Sequence, residues 1–249
     1  MAIQTTEGIV LRKQNLRETS IILKVFTRDF GKISGVIKGA RGPGAAVGHN
    51  PQVFSQNSVV FYERKKSSLS TISHCDLLNF FDPIRSDLER TIYADYFMEL
   101  VDTVTIEGDA DKGLYDLCLN SLWLLSKPAS PKRVARIFEI KLMDAAGFLP
   151  EFKSCSNCRA AIEGDGRFSL KIGGLLCDKC RGNDHEALKV SNGTINFIER
   201  IRKMPFELID RIKVSQDVGR ELEVFLRRFV DYHVGRSLKT VEFLKKVKM

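Results

Sequence analysis

Histidine is scarce in this 249-residue chain. None of His49, His74, His185 and His233 stands at motif spacing from a nucleophile or a carboxylate. There is no GxxxxGKS/T phosphate loop, no GxSxG elbow and no HExxH helix, so the usual nucleotide-hydrolysing, esterase and metalloprotease chemistries have no residues to run on. Long hydrophobic runs are missing as well. No stretch approaches the roughly 18 apolar residues of a membrane span, and the opening MAIQTTEGIVLRKQ lacks the apolar region of a signal peptide. The expectation is a chain kept in a reducing cytoplasm, where closely spaced cysteines take metal more readily than they form disulfides.

Positive charge, by contrast, is in excess: the formal net charge is +8. It is unevenly placed, with residues 1–80 at +6, 81–150 at −4, 151–190 at +1 and 191–249 at +5. Basic flanks around an acidic middle favour a polyanionic partner if the fold joins the two ends; solvated charged faces are the plainer reading.

Four of the six cysteines form two pairs, Cys155-x-x-Cys158 and Cys177-x-x-Cys180, with eighteen residues between them. Two such turns bring four thiolates to the corners of a tetrahedron, the geometry of structural Zn²⁺. Four sulfur ligands leave no position open for water, so the site is expected to hold one ion per chain and to catalyse nothing. Two disulfides are the alternative. Cys75 and Cys118 read as ordinary buried thiols.

Residues 1–80 read as β, with five short runs of β-branched and aromatic residues separated by Gly and polar turns. This is the pattern of a small closed barrel of the OB type. The segment 39–52, GARGPGAAVGHNPQ, is expected to be a mobile loop. From Asp82-Pro83 the period changes. Leu88, Ile92, Tyr96, Leu100 and Val104 recur at spacing four, with Asp82 as the expected N-cap. Further helices are expected over about 111–126, from Ser130-Pro131 to Gly147, from Ser191 to about Met204, and from Ser215 to Val234. The reading is an α+β protein. Residues 1–80 form an OB-fold barrel, residues 81–150 and 190–249 an α-helical domain, and 151–189 a four-cysteine zinc-binding module inserted in it.

Several stretches then resemble the bacterial DNA repair protein RecO family. These are TEGIVLRKQNLRETSIILKVFTRDFGKISGVIKGAR, FFDPIRSDLERTIYADYFMELVDT, RIFEIKLMDAAGFLPEFKSC, GGLLCDKC and FLRRFVDYHVGRSLKTVEFL, in the family's order over nearly the whole chain. The resemblance implies an OB-fold, a helical domain with a zinc module, and a non-enzymatic role in recombinational repair in the bacterial cytoplasm, at the nucleoid. It implies binding to ssDNA and dsDNA, annealing of complementary strands, and help in loading RecA on SSB-coated DNA. The implied partners are RecR and the acidic C-terminal tail of SSB. The chain departs from many relatives after GAR, where Gly42-Pro43-Gly44-Ala45-Ala46-Val47 carries no further charge.

An OB barrel that binds DNA needs cations for phosphates and aromatic planes for bases. Arg12, Arg17, Lys24, Lys32, Lys38 and Arg41 are the barrel candidates, with Arg64, Lys65 and Lys66 on a second turn; Lys38 and Arg41 flank Gly39 and are preferred. Phe26, Phe30, Phe54, Phe61 and Tyr62 read first as core. Lys132, Arg133 and Arg136, beside Ile137 and Phe138, are the expected rim for the SSB tail. Two other classes remain: a zinc-ribbon nucleic-acid-processing enzyme, which would need clustered carboxylates for a second cation, and an adaptor that touches no DNA.

Overall fold

The computed structural model describes residues 2–41, 51–62 and 69–247. Strands β1 (Ile3–Leu16), β2 (Ser20–Thr27), β3 (Gly31–Ile37), β4 (Gln56–Tyr62) and β5 (Ser70–Asn79) close a barrel in the order β1-β2-β3-β5-β4. All pairings are antiparallel except β3 with β5. This is the OB-like barrel that the first 80 residues suggested. Alternation places Asn57, Val59 and Phe61 of β4 inside and their neighbours outward. Val10, Leu23, Val25, Ile33, Ile37, Val59 and Phe61 fill the interior. β1 runs longer than the apolar stretch that announced it. A register shift between Val10 and Arg12 bends it, so that its first half pairs with β4 and its second with β2. Phe26, Phe54 and Phe61 are buried, as core packing requires.

The β2–β3 turn depends on Gly31. Its φ is +63°, and a Cβ there would lie 2.2 Å from the Asp109 carbonyl oxygen, so the loop 105–111 can lie against the barrel only at a residue without a side chain.

The helical stretch opens with one turn, α1 (Asp82–Arg85), and then breaks. Helix α2 (Leu88–Val104) starts afresh, because the Asp87 side chain accepts from the Arg90 N–H and caps it. The expected cap, Asp82, lies inside α1 instead, and Leu88 is exposed while Ile92, Tyr96 and Leu100 are buried. Helices α3 (Lys112–Ser126), α4 (Pro131–Ala145), α5 (Asn192–Lys203) and α6 (Gln216–Val234) fall where periodicity put them. Asp111, Ser191 and Ser215 are the caps of α3, α5 and α6. Two features carried no signal strong enough to be expected: helix α7 (Lys239–Val247) and a small sheet of β6 (Gly166–Ser169), β7 (Gly174–Leu176) and β8 (Leu188–Val190), ordered β7-β6-β8.

Contacts gather the chain into two compact units, Met1–Pro131 with Leu238–Met249, and Lys132–Ser237. This grouping differs from the one drawn at the change of period. Helices α1–α3 and α7 belong with the barrel, because α2 carries carboxylates that serve both. Its Asp102 takes cations from the barrel strands, while its Glu99 accepts from the Lys239 and Thr240 N–H groups and caps α7.

Candidate metal centre and nucleic-acid interface

In the Lys132–Ser237 unit, the ligand atoms of Cys155, Cys158, Cys177 and Cys180 all lie within 4.8 Å of one another. Each pair sits on a tight turn. The Arg159 N–H donates to the Cys155 carbonyl at 2.9 Å and the Cys180 N–H to the Cys177 carbonyl at 2.9 Å. Arg159 adopts φ 64°, a conformation that closes the first turn. The β6–β7 hairpin passes directly against that turn, and a Cβ at Gly174 would meet the Ser156 hydroxyl at 1.9 Å.

The donor set fits a tetrahedral metal. A Zn–S bond of about 2.3 Å requires sulfurs about 3.8 Å apart, and Cys158 and Cys177 stand at 3.6 Å. Burial works against charge on Cys155, but the N–H groups of Cys158, Cys177 and Asn157 outweigh it and bring its pKa down to about 6. Cys180 receives a hydrogen bond from the Asn157 amide at 3.3 Å, which favours its thiolate; its three neighbouring thiols nevertheless raise its pKa to about 11. Four thiolates so close are stable together only around a cation. Carboxylates do not join the group: among the described residues, no other set of His, Cys, Asp or Glu has this geometry.

The barrel cations divide into two sets. Lys32 is buried, and its ammonium donates to the carbonyls of Asp102 (2.6 Å) and Thr105 (2.7 Å) and pairs with Asp102 Oδ1 at 3.1 Å. It cannot face a phosphate, which corrects its nomination. Lys24 pairs with the same Oδ1 at 3.1 Å, and Arg12 Nε lies 2.7 Å from Oδ2. Burial opposes charge on Asp102, yet the hydrogen bonds from Lys24 and Lys32 hold its pKa below the ordinary value. Three of the nominated residues therefore anchor α2 to the barrel, and only Arg12 and Lys24 keep part of their surface in solvent.

The second set gathers at one end of the barrel. Arg17, with φ 53°, turns the β1–β2 hairpin. Its carbonyl accepts from the Arg41 guanidinium, and the Arg41 N–H donates to Thr19 at 2.9 Å. Lys38 is exposed in the turn after β3. Lys13, which the sequence reading passed over, belongs here too. Its pKa is lowered first by burial and then by the charge of Arg41. Strand alternation was the available signal: neighbours Arg12 and Lys13 must face opposite ways. Lys13 feels the charge of Arg41, and Arg17 and Lys38 lie on the turns at the same end of the barrel, so this end is cationic and suits an anion. Arg64, Lys65 and Lys66 lie outside the described residues, as do 42–50 of the expected mobile loop.

On α4, Lys132 is exposed. Arg133 instead donates to the Ile212 carbonyl at 3.2 Å. Arg136 is drawn inward by the buried Glu139, 3.1 Å away, and its side chain is only 16% exposed. It does not stand on a solvent rim, which corrects that expectation.

The family models for recombination protein O match the chain at both ends: the N-terminal one over residues 1–81 and the C-terminal one over 85–242. Among curated relatives, DNA repair protein RecO of Acetivibrio thermocellus is 33% identical over 241 residues, 96% of this chain and 95% of its own. That of Alkaliphilus metalliredigens is 33% identical over 97% of this chain and 98% of its own, and that of Moorella thermoacetica 29% over 97% and 90%. With both family models matched in order and relatives aligned nearly end to end, the chain belongs to the recombination protein O family.

Proposed function

We propose that this protein is a recombination mediator without catalysis of its own. It binds ssDNA and dsDNA through phosphates, anneals complementary strands, and with RecR helps RecA onto SSB-coated DNA in the bacterial cytoplasm. One Zn²⁺ per chain, held by Cys155, Cys158, Cys177 and Cys180, braces the fold. The observation that carries the DNA reading is that Lys13, Arg17, Lys38 and Arg41 all lie at the hairpin end of an OB-like barrel. Family membership supports the same reading. Phosphate contacts from strand turns carry no base readout, so binding is indifferent to sequence.

The acidic SSB tail remains the proposed peptide partner, with Lys132 as the exposed cation of α4. Arg136→Glu would set a second carboxylate against Glu139 and damage folding, so Lys132→Glu is the fair probe of that partner.

The test is strand annealing on SSB-coated complementary oligonucleotides without nucleotide or divalent metal. The protein should accelerate it. Replacing Lys38 and Arg41 together by Ala should lower the slope of log K against log salt by roughly 1.4–1.8 and slow annealing. An inert parent protein would sink the mediator reading. An unchanged slope would move the phosphate site off the hairpin end.

A further inference from the structure

Within the Lys132–Ser237 unit, a continuous series of aromatic rings ends at the surface. Phe168 of β6 meets Phe225 edge-on at 5.1 Å and Phe229 at 5.7 Å. Phe229 lies 4.5 Å from His233, and His233 stacks on Phe148 at 4.6 Å with the planes 30° apart. Tyr232 meets His233 at 5.4 Å, edge to face. Phe168, Phe225 and Phe229 are buried, and core packing accounts for them. It does not account for the outer two: Phe148 is 38% exposed and Tyr232 53% exposed. Phe148 stacks on His233 and Tyr232 meets the same ring edge-on, so the solvent meets aromatic surface on either side of one imidazole.

The charges around this end favour an anion. Arg228 lies one helical turn before Tyr232 on the same face of α6, and Arg236 follows just beyond Gly235, both exposed. The nearby carboxylate of Asp231 is bound by Arg227, Nε to Oδ2 at 2.8 Å, which neutralises it within the helix. We propose that Phe148 and Tyr232 are a stacking platform for the bases of single-stranded nucleic acid, with Arg228 meeting a phosphate. A nucleobase needs only a plane to stack on, and every base offers one. A duplex hides those faces, so the platform should distinguish single from double strands, which the phosphate contacts of the barrel cannot do.

The proposal rests on the nucleic-acid reading above, and the experiment separates the two. Fluorescence anisotropy would compare the full-length parent, Tyr232→Ser and Phe148→Ser/Tyr232→Ser on labelled oligo-dT, an abasic strand of equal length, and a duplex. The parent should prefer oligo-dT to the abasic strand. The variants should lose at least about fivefold in oligo-dT affinity for each stacked base removed. Their abasic and duplex binding and their salt slope should match the parent's. Tyr232→Ser alone keeps the inquiry sound if loss of Phe148 disturbs packing, since Tyr232 is the more exposed ring. Equal parent affinity for oligo-dT and abasic strand overturns the platform but leaves the phosphate reading standing. Parental failure to bind any strand overturns both. Variants that keep oligo-dT affinity while losing an acidic peptide ending in an aromatic residue overturn it in favour of a peptide site.

Discussion

Lys32 and Asp102 bear a larger share of the first unit's design than their residue types suggest. An ammonium with its side chain 8% exposed, facing a carboxylate side chain 4% exposed, is tolerable only because two carbonyls complete its shell. Asp102→Asn would leave that ammonium without its counter-charge. Urea unfolding should show a loss of about 3–5 kcal/mol, partly recovered when Lys32→Met is added. A loss below about 1 kcal/mol would mean the pair is better solvated than its geometry implies. Asp95 has the opposite character. Burial raises its pKa to about 6; the Arg85 charge opposes this and Glu99 adds to it. A folded-state pKa above the unfolded value of about 3.9 contributes stability that is fully present below pH ~3.9 and lost as pH rises through about 6. Asp95→Asn should therefore gain on the parent progressively between about pH 4 and 7, as read from melting temperature. Parallel pH curves for the two proteins would contradict the assignment.

At the scale of elements, the two cysteine turns and the small sheet beside them form one object. Phe168 of β6 packs on Phe152, Phe225 and Phe229, so the sheet that leads into the second cysteine pair shares its core with α6. Little else holds the turns: Cys155, Leu176, Cys180 and Ala187 form the local cluster, too small to fold by itself. Protein prepared without chelator should contain about one zinc per chain. Chelation should lower the melting temperature and open cleavage sites in the segment 151–190 before the barrel is cut, and Cys155→Ser should do the same without chelator. Full protease resistance of metal-free protein would refute the bracing role. This centre was legible in the sequence because a C-x-x-C turn is local and its ligands are fixed by spacing. Helix starts were legible for the same reason at about residue 111, Ser191 and Ser215, whereas the one cap named, Asp82, fell inside α1. The Arg136–Glu139 pair was equally local, at i and i+3, and could have been found.

Across the whole molecule, what the sequence concealed was distance. Lys32 looks like any barrel cation until Asp102, seventy residues on, is placed beside it. Phe148 and His233 stand far apart in the chain and 4.6 Å apart in space, so neither reads as part of an aromatic surface. The barrel was readable because alternation reports which face is buried; the partners across the fold were not, because no local pattern encodes them. The unit to which a helix belongs is likewise a matter of distant contacts, and α7 shows it most clearly.

Helix α7 has its cap, Glu99, on α2, and the residues 132–237 are made between the two. At roughly 5–20 residues per second, that interval lasts on the order of 5–20 s on the ribosome. Throughout it the barrel and its first helices must stand with the α7 seat vacant and Glu99 facing water. A nascent chain halted after Ser237 should thus carry a closed barrel whose seat for α7, where Leu238 and Val241 come to be buried, stands open to chaperones until α7 emerges.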